Sequence, residues 1–219
     1  MKSPSSWHAY LVTDRAFSRG RTTLEIVQAA VQGGVSVVQL REKDLSTRRF
    51  LEEGMRIVDA LKAAGVPLII NDRIDLALAL KADGVHLGRD DMPLRVAREI
   101  LGPDMIIGWS VNETAHIDEE AVSLADYLAI SPVFFTSTKS DITPPWGLEG
   151  LREARSLTNL PLVAIGGVNL ANAREVIQAG ADCVAVVTAI VSADDPAEAT
   201  RRLVEEVKAG KKLRDPAKR

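Results

Sequence analysis

Three polar side chains alternate with other residues where the second predicted strand ends: Gln39, Arg41 and Lys43 in "VQLREKD". Because side chains of a strand alternate between its two faces, this spacing turns all three toward one side. Arginine can grip a phosphate through two parallel hydrogen bonds, and lysine acts on it as a point charge. The pattern predicts a polyanion site, although ion pairs with Glu42 and Asp44 would explain the same cations.

Carboxylates follow the next two predicted strands. Asn71 and Asp72 end the third strand in "LIIND", and Asp90 and Asp91 follow the fourth in "GRDD". Mg²⁺ favours one or two carboxylates and completes its octahedron with water and phosphate oxygens. We therefore interpret Asp72 and Asp91 as Mg²⁺ ligands. Capping of the helices that follow is an equal alternative, since each carboxylate precedes a helical segment.

The later strands also end in candidate binding residues. Ser110 and Asn112 follow the fifth strand in "GWSVNE", where either is also a candidate helix cap. The segments "IGGV" and "VVTAI" follow the seventh and eighth strands, and two loops in these places commonly bind phosphate through backbone N–H groups. His86, inside the fourth strand, is interpreted as a packed, hydrogen-bonded histidine.

The sixth strand ends abruptly in a polar segment, "ISPVFFTSTKSDITPPWGLEG". Hydroxyl side chains surround Lys139, and no periodicity predicts a helix or strand there. A solvated linker and a loop that surrounds a phosphorylated ligand both fit this composition. We predict that residues 136–141 form a mobile lid that brings Lys139 to the ligand on closure.

The elements that position these residues are short apolar strands, each followed by a helical pattern with apolar residues at three- and four-residue spacing. Eight such units of about 27 residues each favour an α/β fold of the (β/α)₈ TIM-barrel type, with an active site at the C-terminal strand ends. A Rossmann fold would need a glycine-rich fingerprint after the first strand, which "LVTDRAFSRGR" lacks. The predicted strands are "WHAYLVT", "VSVVQLR", "VPLII", "GVHLG", "MIIGWS", "DYLAISPV", "LPLVAIGG" and "DCVAVVTA".

Composition excludes several classes of protein. The 219 residues are 46% hydrophobic and 26% charged, with no shift that marks a linker, so we predict one domain over residues 1–219. Within it, residues 8–208 form the barrel and 209–219 a basic tail. A formal charge of −3 gives no nucleic-acid footprint. No apolar run suits a membrane span or signal peptide, which predicts a cytoplasmic protein. Composition leaves the oligomeric state open.

From "YLVTDR" to about "VEEVKAG", the chain resembles the thiamine phosphate synthase family. The most specific motifs are "VQLREKD", "LIINDRIDLALALKADGVHLGRDD", "SPVFFTSTKSD" with "GLEGL", "VAIGGV" and "GADCVAVVTAI". The resemblance implies a (β/α)₈-barrel transferase that uses Mg²⁺. Its small phosphorylated substrates would be an aminopyrimidine methyl diphosphate and a thiazole phosphate, with or without a carboxyl group. They would give thiamine phosphate and pyrophosphate through a dissociative substitution.

The resemblance also implies a role for each matching residue. Arg41, Ser110 and Lys139 are the expected catalytic residues, because they would stabilise the departing pyrophosphate. The diphosphate contacts would be Gln39, Arg41, Lys43, Asn71, Ser110 and Lys139, and the metal ligands Asp72 and Asp91. The thiazole-phosphate contacts would be Thr136, Thr138, Gly167, Val187 and Thr188.

Four positions depart from the family pattern. Ser131, Phe135, Asn112 and Thr188 stand where the family usually has Gly, Pro, His and Ser. The first two could reshape the loop beside the pyrimidine. Two alternatives stay open: a thiazole tautomerase, which would lack the "TSTK" pattern, and a non-catalytic barrel that binds a phosphorylated ligand.

Overall fold

The structure is a computed structural model that describes residues 4–136 and 144–214. Over these ranges eight parallel strands pair in sequence order, and the eighth pairs with the first to close a barrel. The predicted (β/α)₈ barrel is confirmed. The strands are β1 (Ala9–Val12), β2 (Val37–Leu40), β3 (Leu68–Asn71), β4 (Gly84–Leu87), β5 (Ile106–Val111), β6 (Tyr127–Ile130), β7 (Leu162–Ile165) and β8 (Cys183–Val186).

Helices follow the strands and cover the outside of the barrel. They are α1 (Thr23–Gln32), α2 (Thr47–Ala64), α3 (Ile74–Leu80), α4 (Leu94–Leu101), α5 (Glu119–Leu124), α6 (Gly147–Leu157), α7 (Ala173–Gln178), α8 (Thr188–Val191) and α9 (Pro196–Leu213). None of the described helices is long and apolar enough to cross a membrane.

Two boundaries differ from the prediction. The eighth predicted strand extends through Ala189, whereas β8 ends at Val186 and Thr188 already begins α8. A short apolar run has the same composition in a strand and in a buried helical turn, so periodicity cannot separate them. At the other boundary, α9 continues past Gly210 to Leu213, and Lys211 Nζ donates to Trp7 O at 2.7 Å. Part of the predicted tail is therefore helical.

Side chains alternate between the barrel interior and the helix layer. In β4, Val85 and Leu87 pack among the helix-facing core, and His86 has the opposite phase. Inside, the rings of Trp7, Tyr10 and Tyr127 pack edge to face with centroids 5.4–6.1 Å apart. The alternation decides which polar residue of each strand reaches the mouth.

An Ala-Asp pair directly precedes β4, β6 and β8, at the end of the barrel where the strands begin. In each pair the aspartate donates its backbone N–H to a residue near the start of the strand before, and its carboxylate accepts that residue's N–H. These backbone-to-carboxylate bonds are Leu68 to Asp83 at 2.8 Å, Ile107 to Asp126 at 2.7 Å and Leu162 to Asp182 at 3.0 Å. The bonds hold neighbouring strands in register and leave the opposite end for ligands.

Candidate active site

A cavity of about 880 Å³ lies at the C-terminal ends of the strands. It brings together every predicted site residue that the structure describes: Gln39, Arg41, Lys43, Asn71, Asp72, Asp91, Ser110, Thr136, Gly167, Val187 and Thr188. Thr138 and Lys139, and with them most of the predicted lid, lie outside the described residues.

Arg41 is held at the top of β2 by its neighbours on the β1 side. Its backbone N–H donates to Thr13 Oγ1 at 3.0 Å, and its Nη1 donates to Asp14 Oδ2 at 3.0 Å. The ion-pair partner is thus Asp14 and not Glu42 or Asp44. Glu42 instead accepts a hydrogen bond from Thr23, because it has the outward phase of the strand.

Lys43 completes the cationic strand end. It is exposed, and within residues 4–136 and 144–214 it makes no ion pair. A half-buried arginine, already oriented by Thr13 and Asp14, and an exposed lysine therefore line the same side of the cavity. The spacing that predicted a shared face is consistent with this arrangement.

Asp72 and Asp91 face each other across the ends of β3 and β4. Burial, together with the charge and hydrogen bond of Asp91, raises the pKa of Asp72 to about 6, while Lys43 and Arg41 oppose this shift. Asp72 has a φ of +61°, a left-handed conformation that a non-glycine residue adopts at some cost. The turn before α4 fixes Asp91, whose Oδ2 accepts from Gly88 N at 2.7 Å.

The capping alternative for these carboxylates is wrong. Arg73 precedes α3 and Pro93 precedes α4, and neither helix start has a side-chain cap. Likewise Asp118, not Ser110 or Asn112, caps α5. Asp72 and Asp91 therefore cap neither α3 nor α4.

The donor set of Asp72 and Asp91 fits a hard divalent cation. Both offer only oxygen ligands, and a cation between them would favour the charged form of Asp72, whose pKa is raised by burial and by the charge of Asp91. In the described part of the chain no three His, Cys, Asp or Glu side chains are grouped to hold a metal by themselves. Such a pair would suit Mg²⁺, whose remaining positions are filled by water and phosphate.

The end of β7 is shaped by Gly166 and Gly167, with φ of +95° and +66°. A Cβ on Gly167 would lie 2.7 Å from Phe134 Cβ, so the β6 loop packs directly on this glycine. Gly167 O accepts from Asn172 Nδ2 at 3.0 Å and from Asn169 Nδ2 at 3.3 Å. These bonds fix the peptide group between Gly167 and Val168, so the backbone N–H of Val168 points away from the two asparagines.

Side chains that were not predicted as site residues form the floor of the cavity. Gln39 Nε2 donates to Tyr10 Oη at 2.8 Å, and Tyr10 Oη lies 2.9 Å from Tyr127 Oη. His86 Nδ1 lies 3.0 Å from Tyr127 Oη, and His86 Nε2 lies 2.9 Å from Ser110 Oγ. His86 is hydrogen bonded as predicted, but it also lines the cavity. Its inward phase in β4 is the signal that would have identified it.

Arg89 and His116 also line the cavity, and sequence reasoning assigned them no role. Arg89 contacts His116 Nε2, and Glu113 pairs with both side chains. His116 Nδ1 accepts from the backbone N–H of Asn112 at 3.3 Å. This cluster forms the β4–β5 side of the mouth.

The barrel and its mouth define a (β/α)₈-barrel protein with a ligand site of mixed charge at the C-terminal strand ends. A sequence model described as thiamine monophosphate synthase matches residues 9–190. The thiamine-phosphate synthase of Albidiferax ferrireducens is 55% identical over 194 residues, 89% of each chain. That of Chloroflexus aurantiacus is 49% identical over 90% of this chain and 91% of its own. The solved thiamine phosphate pyrophosphorylase of Pyrococcus furiosus superposes with a TM-score of 0.86 at 38% identity, covering 94% of this chain and 98% of its own.

The chain belongs to the thiamine monophosphate synthase family. The resemblance seen in the sequence motifs is thereby confirmed. Family membership also confirms that the chain is an enzyme, a transferase.

Proposed function

We propose that this chain is a thiamine phosphate synthase that joins an aminopyrimidine methyl diphosphate to a thiazole phosphate and releases pyrophosphate. One observation carries the proposal beyond family membership. A single cavity collects a cationic strand end, an acidic pair and the glycine-bearing loop after β7. Its volume of about 880 Å³ lies within the range of small-molecule sites.

The diphosphate would bind along β2, β3 and β5. Arg41 and Lys43 supply positive charge, while Asn71 and Ser110 supply polar hydrogen-bonding groups from the next strands. Because Arg41 is already oriented by Thr13 and Asp14, it needs little rearrangement when charge develops on the departing pyrophosphate. Preorganised donors of this kind stabilise a transition state more effectively than solvent does. Lys139 is proposed as a further cation for the same group.

Asp72 and Asp91 would hold Mg²⁺ beside the diphosphate. When bound, Mg²⁺ neutralises charge on the phosphate oxygens. The two aspartates supply anionic oxygens, and Arg41 and Lys43 stand close enough to affect the pKa of Asp72. The acidic and cationic parts of the mouth thus meet at one point.

The thiazole phosphate would bind across the ends of β7 and β8. Gly167 lines the cavity after β7, Val187 precedes α8 and Thr188 begins it, and Thr136 lies on the facing loop. Thr138 is proposed for the same group. Bound there, the thiazole phosphate would present its nitrogen to the methylene carbon of the pyrimidine substrate. The new carbon–nitrogen bond would form as the bond from that carbon to the diphosphate oxygen breaks, and pyrophosphate would leave with the bonding electrons. The chain then acts by positioning and charge, and the attacking nitrogen needs no general base.

The alternatives predict a different response to pyrophosphate. A thiazole tautomerase or a barrel that only binds a phosphorylated ligand does not release pyrophosphate, whereas a synthase must release it.

We further propose that the enzyme works in the cytoplasm, which is consistent with the membrane-span result above.

Calorimetric titration with inorganic pyrophosphate tests the proposed function. We expect binding that tightens with Mg²⁺, and loss of that Mg²⁺ dependence in Asp72→Asn and Asp91→Asn. Asp44→Asn is the matched control, because the same charge is removed at an exposed position outside the cavity lining. Absence of pyrophosphate binding to the parent protein would favour the alternatives.

A further inference from the structure

Five side chains beneath the cavity form one continuous line of hydrogen bonds. It runs from Gln39 through Tyr10, Tyr127 and His86 to Ser110, with four donor–acceptor separations between 2.8 and 3.0 Å. The two ends are residues proposed to bind substrate, and the three central residues have no role in that proposal. The line crosses the barrel from β2 to β5.

Only two directions give every phenol proton an acceptor within the line; any arrangement in which Tyr10 or Tyr127 accepts from both neighbours leaves its own buried proton without one. Each hydroxyl has one proton, and a neutral imidazole donates from one nitrogen and accepts at the other. If Gln39 donates from Nε2, then Tyr10 donates to Tyr127, Tyr127 to His86 Nδ1, and His86 Nε2–H to Ser110. If Gln39 instead turned its Oε1 to Tyr10, every donor and acceptor would exchange roles.

The direction decides what Ser110 can offer to a ligand. When Ser110 Oγ accepts from His86, its own proton is left for another acceptor. In the reverse direction Ser110 would donate to His86 and present only lone pairs to an anion. The structure has Gln39 Nε2 at 2.8 Å from Tyr10 Oη, and with Gln39 as that donor only the first direction gives both phenol protons an acceptor.

We propose that Tyr127 and His86 are positioning residues that hold this direction, so that Ser110 offers a donor to the substrates. The role of Ser110 in binding the diphosphate rests on the proposed function. The direction of the hydrogen bonds is independent of that function.

The surroundings of the line favour a fixed direction. Tyr10 and Tyr127 are 1% and 0% exposed, so no water replaces a lost partner at either hydroxyl. Gly108 leaves room for the Tyr127 ring, since a Cβ there would overlap its phenol end. Burial also raises the pKa of both phenols, which keeps their protons in place.

The tautomer of His86 reports the direction and can be measured without turnover. The chain has three histidines, so a ¹⁵N-histidine correlation spectrum is readily assigned with His8→Gln and His116→Gln. We expect His86 to be neutral with its proton on Nε2 in the ligand-free parent. A proton on Nδ1, or an imidazolium at neutral pH, would overturn the proposal.

Two matched variants test the order of the line. Tyr127→Phe removes the donor to His86 Nδ1, so we expect the Nε2–H preference to be lost. Tyr10→Phe removes a hydroxyl of equal size and burial one step earlier, so Tyr127 still donates and the tautomer is retained. Ser110→Ala should also retain it, which keeps a test available if Tyr127→Phe does not fold. Equal shifts in Tyr10→Phe and Tyr127→Phe, or a changed tautomer in Ser110→Ala, contradict the relay.

Turnover adds a second readout. We expect Tyr127→Phe to lower kcat about 10- to 100-fold, as for one hydrogen bond to a charged group, with less change in KM for the thiazole phosphate. A parent that makes no thiamine phosphate but shows the Nε2–H tautomer would refute the proposed function and support the relay. A KM increase with unchanged kcat in Tyr127→Phe would contradict the proposed role.

Discussion

Arg41 donates a hydrogen bond to Asp14 across 3.0 Å, and only 17% and 16% of the two side chains are exposed. The pair joins the ends of β1 and β2 at the rim of the cavity. Asp14 therefore orients the guanidinium before any ligand arrives, and it leaves the remaining donors of Arg41 for a phosphate.

Arg41→Ala should lower kcat/KM for the pyrimidine diphosphate about 30- to 150-fold. This corresponds to about 2–3 kcal/mol for a lost charge-assisted contact. Steady-state kinetics with the diphosphate varied give the effect, and Arg48→Ala on the exposed face of α2 is the control. Full activity with a lowered melting temperature would mean that the Arg41–Asp14 pair is only structural.

Thr188→Val should raise KM for the thiazole phosphate about tenfold and leave KM for the pyrimidine diphosphate unchanged, because one hydroxyl bond to a phosphate is lost. Gly167→Val is expected to be less selective. Its Cβ would meet Phe134 Cβ and Phe135 O at 2.7 Å, and its φ of +66° disfavours any side chain. Equal KM increases for both substrates in Thr188→Val would argue against the assigned pocket.

Glu42→Gln should change how stability depends on pH. Burial, followed by the charge of Glu53, raises the pKa of Glu42 from 4.5 to about 7. Between these values the unfolded chain releases a proton that the folded protein keeps, so stability falls as pH rises through this window. Removing the titrating group should therefore make the variant more stable than the parent at about pH 8 and equal to it at about pH 4.

Urea unfolding at both pH values measures this difference. After allowance for solvent screening we expect a gain of about 1 kcal/mol at the higher pH. Asp44→Asn, at an exposed position two residues further along the chain, is the control and should show no such gain. A variant that is less stable than the parent at the higher pH would refute the assignment.

Asp182→Asn should destabilise the barrel by about 3 kcal/mol. Asp182 accepts from Leu162 N and from both Arg155 and Arg214, whose side chains are 15% and 11% exposed. Losing the carboxylate leaves two largely buried cations without their counter-charge. Asp83→Asn is the matched control, since Asp83 makes the same backbone bond but no ion pair in the described part of the chain.

Chemical unfolding of the two variants provides the comparison. The Asp83→Asn protein should lose less stability, because the asparagine oxygen still accepts from Leu68 N. Equal losses in both proteins would show that the backbone bond, and not the ion pairs, supplies the stability.

Local spacing predicted which of the candidate site residues meet at one cavity. Period-two alternation places Gln39, Arg41 and Lys43 together in any strand, and parallel order then brings Asp72 beside Asp91. Tyr10 and Tyr127 could not be found in this way, because each sits in an apolar run that reads as core. The two tyrosines are 117 residues apart in the sequence, and they meet only because the closed barrel turns both side chains into its interior. The start of α8 was missed because its residues suit a strand equally well.

The central claim is that this cavity makes thiamine phosphate by displacing pyrophosphate. The most direct measurement is a reaction of the purified protein with both phosphorylated substrates, in which thiamine phosphate and pyrophosphate are quantified over time. We expect both products in equal amounts, only when Mg²⁺ is present, with strongly reduced formation by Asp72→Asn. Rearranged thiazole without pyrophosphate, or no product at all from a folded protein with Mg²⁺, would contradict the account.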